Sequence, residues 1–130
     1  LEPELAARAL PRAHLSLVER LGRMDAECER LRREGDVGGA LRADLDWRRT
    51  LYLRAHAPAM LALAETVWLQ TQPSLRALHA RRGFPRGPAL RRKALSALAA
   101  GDEAGLRLAV REEVRQTVLA LLAPEGLDAA

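Results

Sequence analysis

Apolar residues return every three or four positions along most of this chain. Leu17, Leu21, Met24, Cys28 and Leu31 stand at alternating spacings of four and three, the period of a helix with one face on a core. Runs that alternate β-branched and polar residues are nearly absent, while Ala, Leu, Arg and Glu dominate, all good helix formers or helix-surface residues. The pattern predicts helices over about 1–10, 12–34, 37–56, from Pro58 onward, 89–100 and from Asp102 to about 123. Breaks fall at Pro11, at "EGDVGG", at "HAPAM", in the loop "RRGFPRGP", at Gly101 and at Pro124, where glycine and proline end or start helices. Pro73 is expected to kink the fourth helix or to restart it as a short helix reaching about residue 82. With six or seven helices and short connections, the expected fold is an all-α antiparallel bundle.

Charged residues interrupt these apolar stripes. On the 37–56 helix, Val37, Leu41, Leu45, Leu51, Tyr52 and Ala55 share one side, and Asp44 and Arg48 fall in the middle of it. Arg91 lies among Leu90, Ala94, Leu95 and Leu98. On the last helix the face is Leu106, Val110, Val114, Thr117 and Leu121, with Glu113 at its edge beside Ala109 and Ala120. An isolated buried charge is very costly, but a paired and hydrogen-bonded one is tolerated, and the planar fork of arginine suits a carboxylate. The formal charges of the four sum to zero. The periodicity says that each faces the core, not that they meet.

Other side chains carry weaker signals. The fourth helix turns Met60, Leu61, Ala64, Val67, Trp68 and Thr71 to one side. Trp68, Thr71 and Gln72 are candidates to line a cavity, with His79 from the segment that follows. Trp47 and Trp68 read first as core or interface packing, and His14 and His56 as surface or capping residues. Leu108, Leu119 and Leu122 form a second apolar stripe on the last helix. Such a stripe belongs to a central helix of a bundle, or to a surface that meets a partner chain or a DNA-binding domain.

Composition narrows the function classes. Hydrophobic residues make up 48% of the 130 positions, too many for a disordered chain. Lys and Arg number 21 against 17 Asp and Glu, a net charge of +4, too small to argue for nucleic acid by itself. No acid lies between Glu65 and Asp102, where Arg76, Arg81, Arg82, Arg86, Arg91, Arg92 and Lys93 cluster. Such a block attracts anions or acidic partners, or simply solvates a face. Cys28 is the single cysteine, which rules out an internal disulfide and multi-cysteine zinc sites and suits a reducing cytoplasm. The opening "LEPELAAR" does not read as a signal peptide, and no run approaches the ~20 apolar residues of a membrane span. There is no Ser-His-Asp set, glycine-rich phosphate loop or metal-ligand spacing. Each inward carboxylate has an arginine candidate nearby, which keeps it ionised rather than ready to act as a general acid. An enzyme is not expected.

Three stretches carry a family resemblance. "LEPELAARAL", "DLDWRRTLYLRAHAP" and "LRRKALSALAAGDEAGLRLAVREEV", in that order and spacing, resemble the C-terminal effector-binding domain of FadR-type regulators in the GntR family, the FCD domain. The resemblance covers nearly the whole chain and implies one effector-binding and dimerisation domain over 1–130. It implies a homodimer, a small anionic effector such as an organic acid, and DNA contact only through a winged helix-turn-helix domain that is not in these residues. Many members hold a divalent metal with an Asp and three His. By position these are Asp44, Arg48, Arg91 and Glu113, the same residues that break the stripes. Arginine is always protonated and cannot ligate a metal. The expectation is therefore no metal and no cofactor, with an Asp–Arg–Arg–Glu ion cluster in that place. Two readings stay open: a ligand-binding switch, marked by a polar cavity beside Arg48 and Arg91, or a structural dimerisation module in which the four side chains pack directly on one another.

Overall fold

Local start and stop signals cut the chain into its helices. The computed structural model describes residues 1–81, 84 and 89–123. Helix α1 (Glu2–Ala9) begins with a proline in its first turn and passes into a 3-10 turn, Leu10–Arg12. Helix α2 (Leu15–Arg33) ends before Gly35, whose φ of 75° is a left-handed conformation that glycine adopts freely. Helix α3 (Val37–Tyr52) starts under Asp36, whose carboxylate accepts from the Gly39 amide at 2.9 Å, and runs into a 3-10 turn, Leu53–Ala55. Helix α4 (Pro58–His79) opens on its proline. Helix α5 (Ala89–Ala100) gives way at Gly101, and Asp102 then caps α6 (Glu103–Leu122) by accepting from the Gly105 amide at 2.9 Å.

Six α-helices and no strand are present among the described residues, as the periodicity predicts. Pro73 does not restart α4: the helix runs on to His79. A proline inside a helix frees the carbonyl four residues before it, here that of Leu69, and both Leu69 and Pro73 are exposed. Water can therefore satisfy the freed group, and the Thr71 hydroxyl donates to the Val67 carbonyl at 2.7 Å alongside. The loop "RRGFPRGP", apart from Arg81 and Phe84, and Pro124 lie outside the described residues. None of the described helices is long and apolar enough to cross a membrane.

Helices α2 and α3 pack as one hairpin, α5 and α6 as another, and α1 lies along α6. Close approach of α1 follows from its small residues, since Ala6 and Ala9 are fully buried beside Leu5. Leu17, Leu21, Trp47, Leu51, Tyr52, Leu98 and Leu106 fill the centre. The Trp47 indole donates to the Leu21 carbonyl at 3.1 Å and so ties α3 to α2. Cys28 is fully buried, as its place in the stripe predicts, and burial pushes its thiol up to about 11. Leu108, Leu119 and Leu122 are exposed, so α6 is not buried on both sides among the described residues. The two aspartate caps give a direct test: Asp36→Ala and Asp102→Ala should each lower unfolding free energy by about 1 kcal/mol, read as a reduced urea midpoint with an unchanged slope.

Candidate functional site

The charged residues that interrupt the stripes meet inside the bundle. Asp44 and Arg48 are one turn apart on α3, so Arg48 Nε donates to Asp44 Oδ2 at 3.2 Å. From α5, Arg91 Nη2 donates to Asp44 Oδ1 at 2.6 Å and to Glu113 Oε2 at 3.1 Å, while its Nε donates to Glu113 Oε1 at 3.2 Å. Arg48 Nη2 also reaches Glu113 Oε2, at 3.3 Å. The Arg91 guanidinium lies 3.8 Å above the Trp47 ring centre, a cation–π contact in a desolvated place.

Two further acids join them. Glu2, in the first turn of α1, accepts from Arg48 Nη1 at 2.8 Å, from the Tyr52 hydroxyl at 2.8 Å and from the Trp68 indole at 3.4 Å. Asp25 of α2 is 9% exposed, and its Oδ1 lies 3.9 Å from Arg91 Nη1. The balanced four-residue set expected from the sequence is thus a larger cluster with four carboxylates against two guanidiniums. Asp25 was legible by the same signal as the others, since it follows Leu21 by four residues and precedes Cys28 by three. Glu2 gave no such signal: an acid in a first helical turn is ordinary, and α1 is too short to show a stripe around it.

These surroundings divide the carboxyls. Burial opposes ionisation of Asp44, but the charges of Arg48 and Arg91 and the hydrogen bond from Arg91 outweigh it and hold the group well below the usual carboxylate range. Burial dominates at Asp25 and raises it, with only partial relief from Arg91. Burial also lowers His79, against the pull of Asp44, and so favours a neutral imidazole.

A cavity of about 240 Å³ opens beside the cluster. Arg48, Arg91, Asp44, Glu113 and Asp25 form its charged end, and Leu45, Leu75, Leu90, Val114 and Leu121 its apolar walls. Of the other candidates, Trp68, Thr71 and His79 border it, whereas Gln72 is exposed and does not. His14 and His56 are exposed, as expected. Three buried polar atoms at this cavity have no hydrogen-bond partner among the described residues: Arg91 Nη1, Arg32 Nε and His79 Nδ1. All three nitrogens of Arg48, by contrast, are engaged.

The residues do not fit a divalent cation. Guanidinium groups occupy two of the four positions and donate to the carboxylates in the other two, so they take up the acceptor sites and add two positive charges. No group of three or more His, Cys, Asp or Glu suited to a metal exists among the described residues.

The centre of this all-helical bundle thus holds an ion cluster with a cavity beside it. The sequence matches the FCD domain over residues 1–116, and the chain belongs to that family. The fold is similar to that of E. coli McbR/YncC, with a TM-score of 0.84 at 20% sequence identity, over 92% of this chain. The alignment spans 61% of the length of that protein. Among curated protein sequences none matches significantly.

The pKa directions predict opposite behaviour for the two aspartates. Removing one partner of a buried pair leaves the other uncompensated, so Asp44→Asn should cost about 3–5 kcal/mol at neutral pH. The native contribution of Asp44 is complete above the ordinary Asp range and is lost as pH falls below it. The raised pKa of Asp25 reverses the sign: its ionisation opposes folding. Asp25→Asn should raise Tm at pH 7, with the gain shrinking toward pH 4. Thermal melts across that range check both.

Proposed function

We propose that this chain is the effector-sensing domain of a GntR-family transcription regulator, and that a small organic molecule bound in the 240 Å³ cavity is its signal. The observation that carries this is the cavity itself, which ends on buried polar atoms left without partners. A module held together only by its ion cluster would have no use for such a space. Its volume is below the usual ~300–1,000 Å³ of drug-sized ligand sites, so the guest is metabolite-sized. DNA contact belongs to a winged helix-turn-helix domain outside these residues, in a homodimer working in the cytoplasm. The effector acts by binding one arrangement of the paired DNA-binding domains better than the other. The chain itself catalyses no reaction.

The cluster replaces the metal of related domains as the internal brace. Arginine charge is permanent, so effector binding does not wait on metal supply. The organic-acid effector that the resemblance implies draws its support from Arg91 Nη1, since each nitrogen of Arg48 already donates to a carboxylate. The competing reading, a closed dimerisation module, is supported by the direct packing of Asp44, Arg48, Arg91 and Glu113 on one another.

One measurement separates the readings, and a second tests the replacement of the metal. A broad metabolite panel followed by thermal shift should reveal a class that stabilises the chain, by roughly 2.7 kcal/mol at 100 times its dissociation constant. Filling the cavity with Val114→Trp should abolish that shift. No shift across the panel supports the closed module. Elemental analysis of chelator-free protein should find far less than one equivalent of zinc, nickel or manganese, and a stoichiometric metal would overturn the replacement.

A further inference from the structure

The polar groups at the cavity fall into two sets. Glu2, Asp44, Arg48 and Glu113 bond each other and leave little for a guest. Arg91 Nη1, Arg32 Nε and His79 Nδ1 are buried without a hydrogen-bond partner among the described residues, and Asp25, which lines the same cavity, makes no side-chain hydrogen bond there either. Asp25 Oδ1 and Arg91 Nη1 are 3.9 Å apart, beyond hydrogen-bond reach, and both residues are at least nine-tenths buried. Each orphaned donor or acceptor costs about 1–3 kcal/mol, so this second set rewards a molecule that completes it. Water can bond there but finds no partners along Leu45, Leu75, Leu90 and Val114.

Charge then selects the guest. Five carboxylates line the cavity (Glu2, Asp25, Glu29, Asp44 and Glu113) against three guanidiniums (Arg32, Arg48 and Arg91). A simple carboxylate adds to the acid surplus. A simple amine satisfies Asp25 but leaves Arg91 Nη1 and Arg32 Nε without an acceptor. A guest with both groups meets both needs and adds no net charge. In an α-amino acid the ammonium nitrogen and a carboxylate oxygen lie roughly 3 Å apart by ordinary bond lengths and angles, comparable with the spacing of Asp25 and Arg91 Nη1.

Resting on the effector reading above, we infer that the effector is a free α-amino acid with an apolar side chain. Its ammonium donates to Asp25, its carboxylate accepts from Arg91 Nη1, and its side chain lies against the leucine and valine walls. Of the four positions that correspond to the family's metal site, only Arg91 takes part, through Nη1; Asp44, Arg48 and Glu113 do not hold the guest.

Matched probes test this by calorimetry on the intact chain. One set is leucine, isocaproic acid and isoamylamine, which share an apolar body and differ only in polar head. Valine and phenylalanine with their matched acids and amines make the others. At least one amino acid should bind ten times or more tighter than its own acid and amine. Asp25→Asn, expected to fold at least as well as the native chain, should weaken that amino acid tenfold or more and leave the matched acid equal or tighter. A purely structural role for Asp25 would move both alike. The inference is overturned if every acid or amine equals its amino acid, if Asp25→Asn leaves the amino acid unaffected, or if no amino acid binds. In those cases the effector reading still stands on any other metabolite that binds, and it fails only if the whole panel is silent.

Discussion

Arg91 places a charge that cannot be neutralised in the middle of a helical bundle, and the surrounding architecture answers it. A guanidinium does not shed its proton under any ordinary condition, so burial must be compensated by carboxylates and by a polarisable face. Asp44 and Glu113 supply the first, and the Trp47 ring, 3.8 Å away, supplies the second. The compensating groups come from two other elements: Asp44 and Trp47 from α3, Glu113 from α6. Trp47 is held in turn by the Leu21 carbonyl of α2. Four helices are thus committed to one orientation by a single side chain. Arg48 extends the same logic to α1 through Glu2, which also takes the Tyr52 hydroxyl and the Trp68 indole.

Buried ion pairs are poor sources of net stability, because desolvation offsets most of the attraction. Their value here is directional. Apolar packing of leucine and alanine tolerates sliding, and with aromatics at 3% few large shapes lock one helix against the next. A cluster of hydrogen bonds with fixed donors and acceptors supplies a register that such a core lacks. The cluster links five helices through Glu2 of α1, Asp25 of α2, Asp44 and Arg48 of α3, Arg91 of α5 and Glu113 of α6.

The sequence displayed most of this. Helix number and type followed from periodicity and from the aspartate and glycine signals at helix ends, because those are local effects. Asp44, Arg48, Arg91 and Glu113 were legible because a charge within an apolar stripe contradicts the pattern around it. Two features were not. Pro73 stays inside α4 because its surroundings are exposed, and exposure is a tertiary property. Glu2 enters the cluster because α1 docks beside α3 and α6, and no spacing along the chain reports that docking. Gln72 shows the limit of a helical wheel at its margin: one residue beyond Thr71, it turns to solvent.

The acids missed at first also change the chemistry. With the four stripe residues alone the site is neutral, and two arginines invite an anion. Adding Glu2 gives the last nitrogen of Arg48 a carboxylate partner, and adding Asp25 leaves a buried carboxylate with no hydrogen bond among the described residues. The free capacity then moves from the centre of the cluster to its α2 side, where an acceptor and a donor stand next to each other, each unfinished. A site in that condition discriminates by what a guest lacks as much as by what it offers, because a missing group leaves a buried partner orphaned. Under the proposed effector reading, the position of Asp25, rather than the number of arginines, therefore decides which charge the guest must carry.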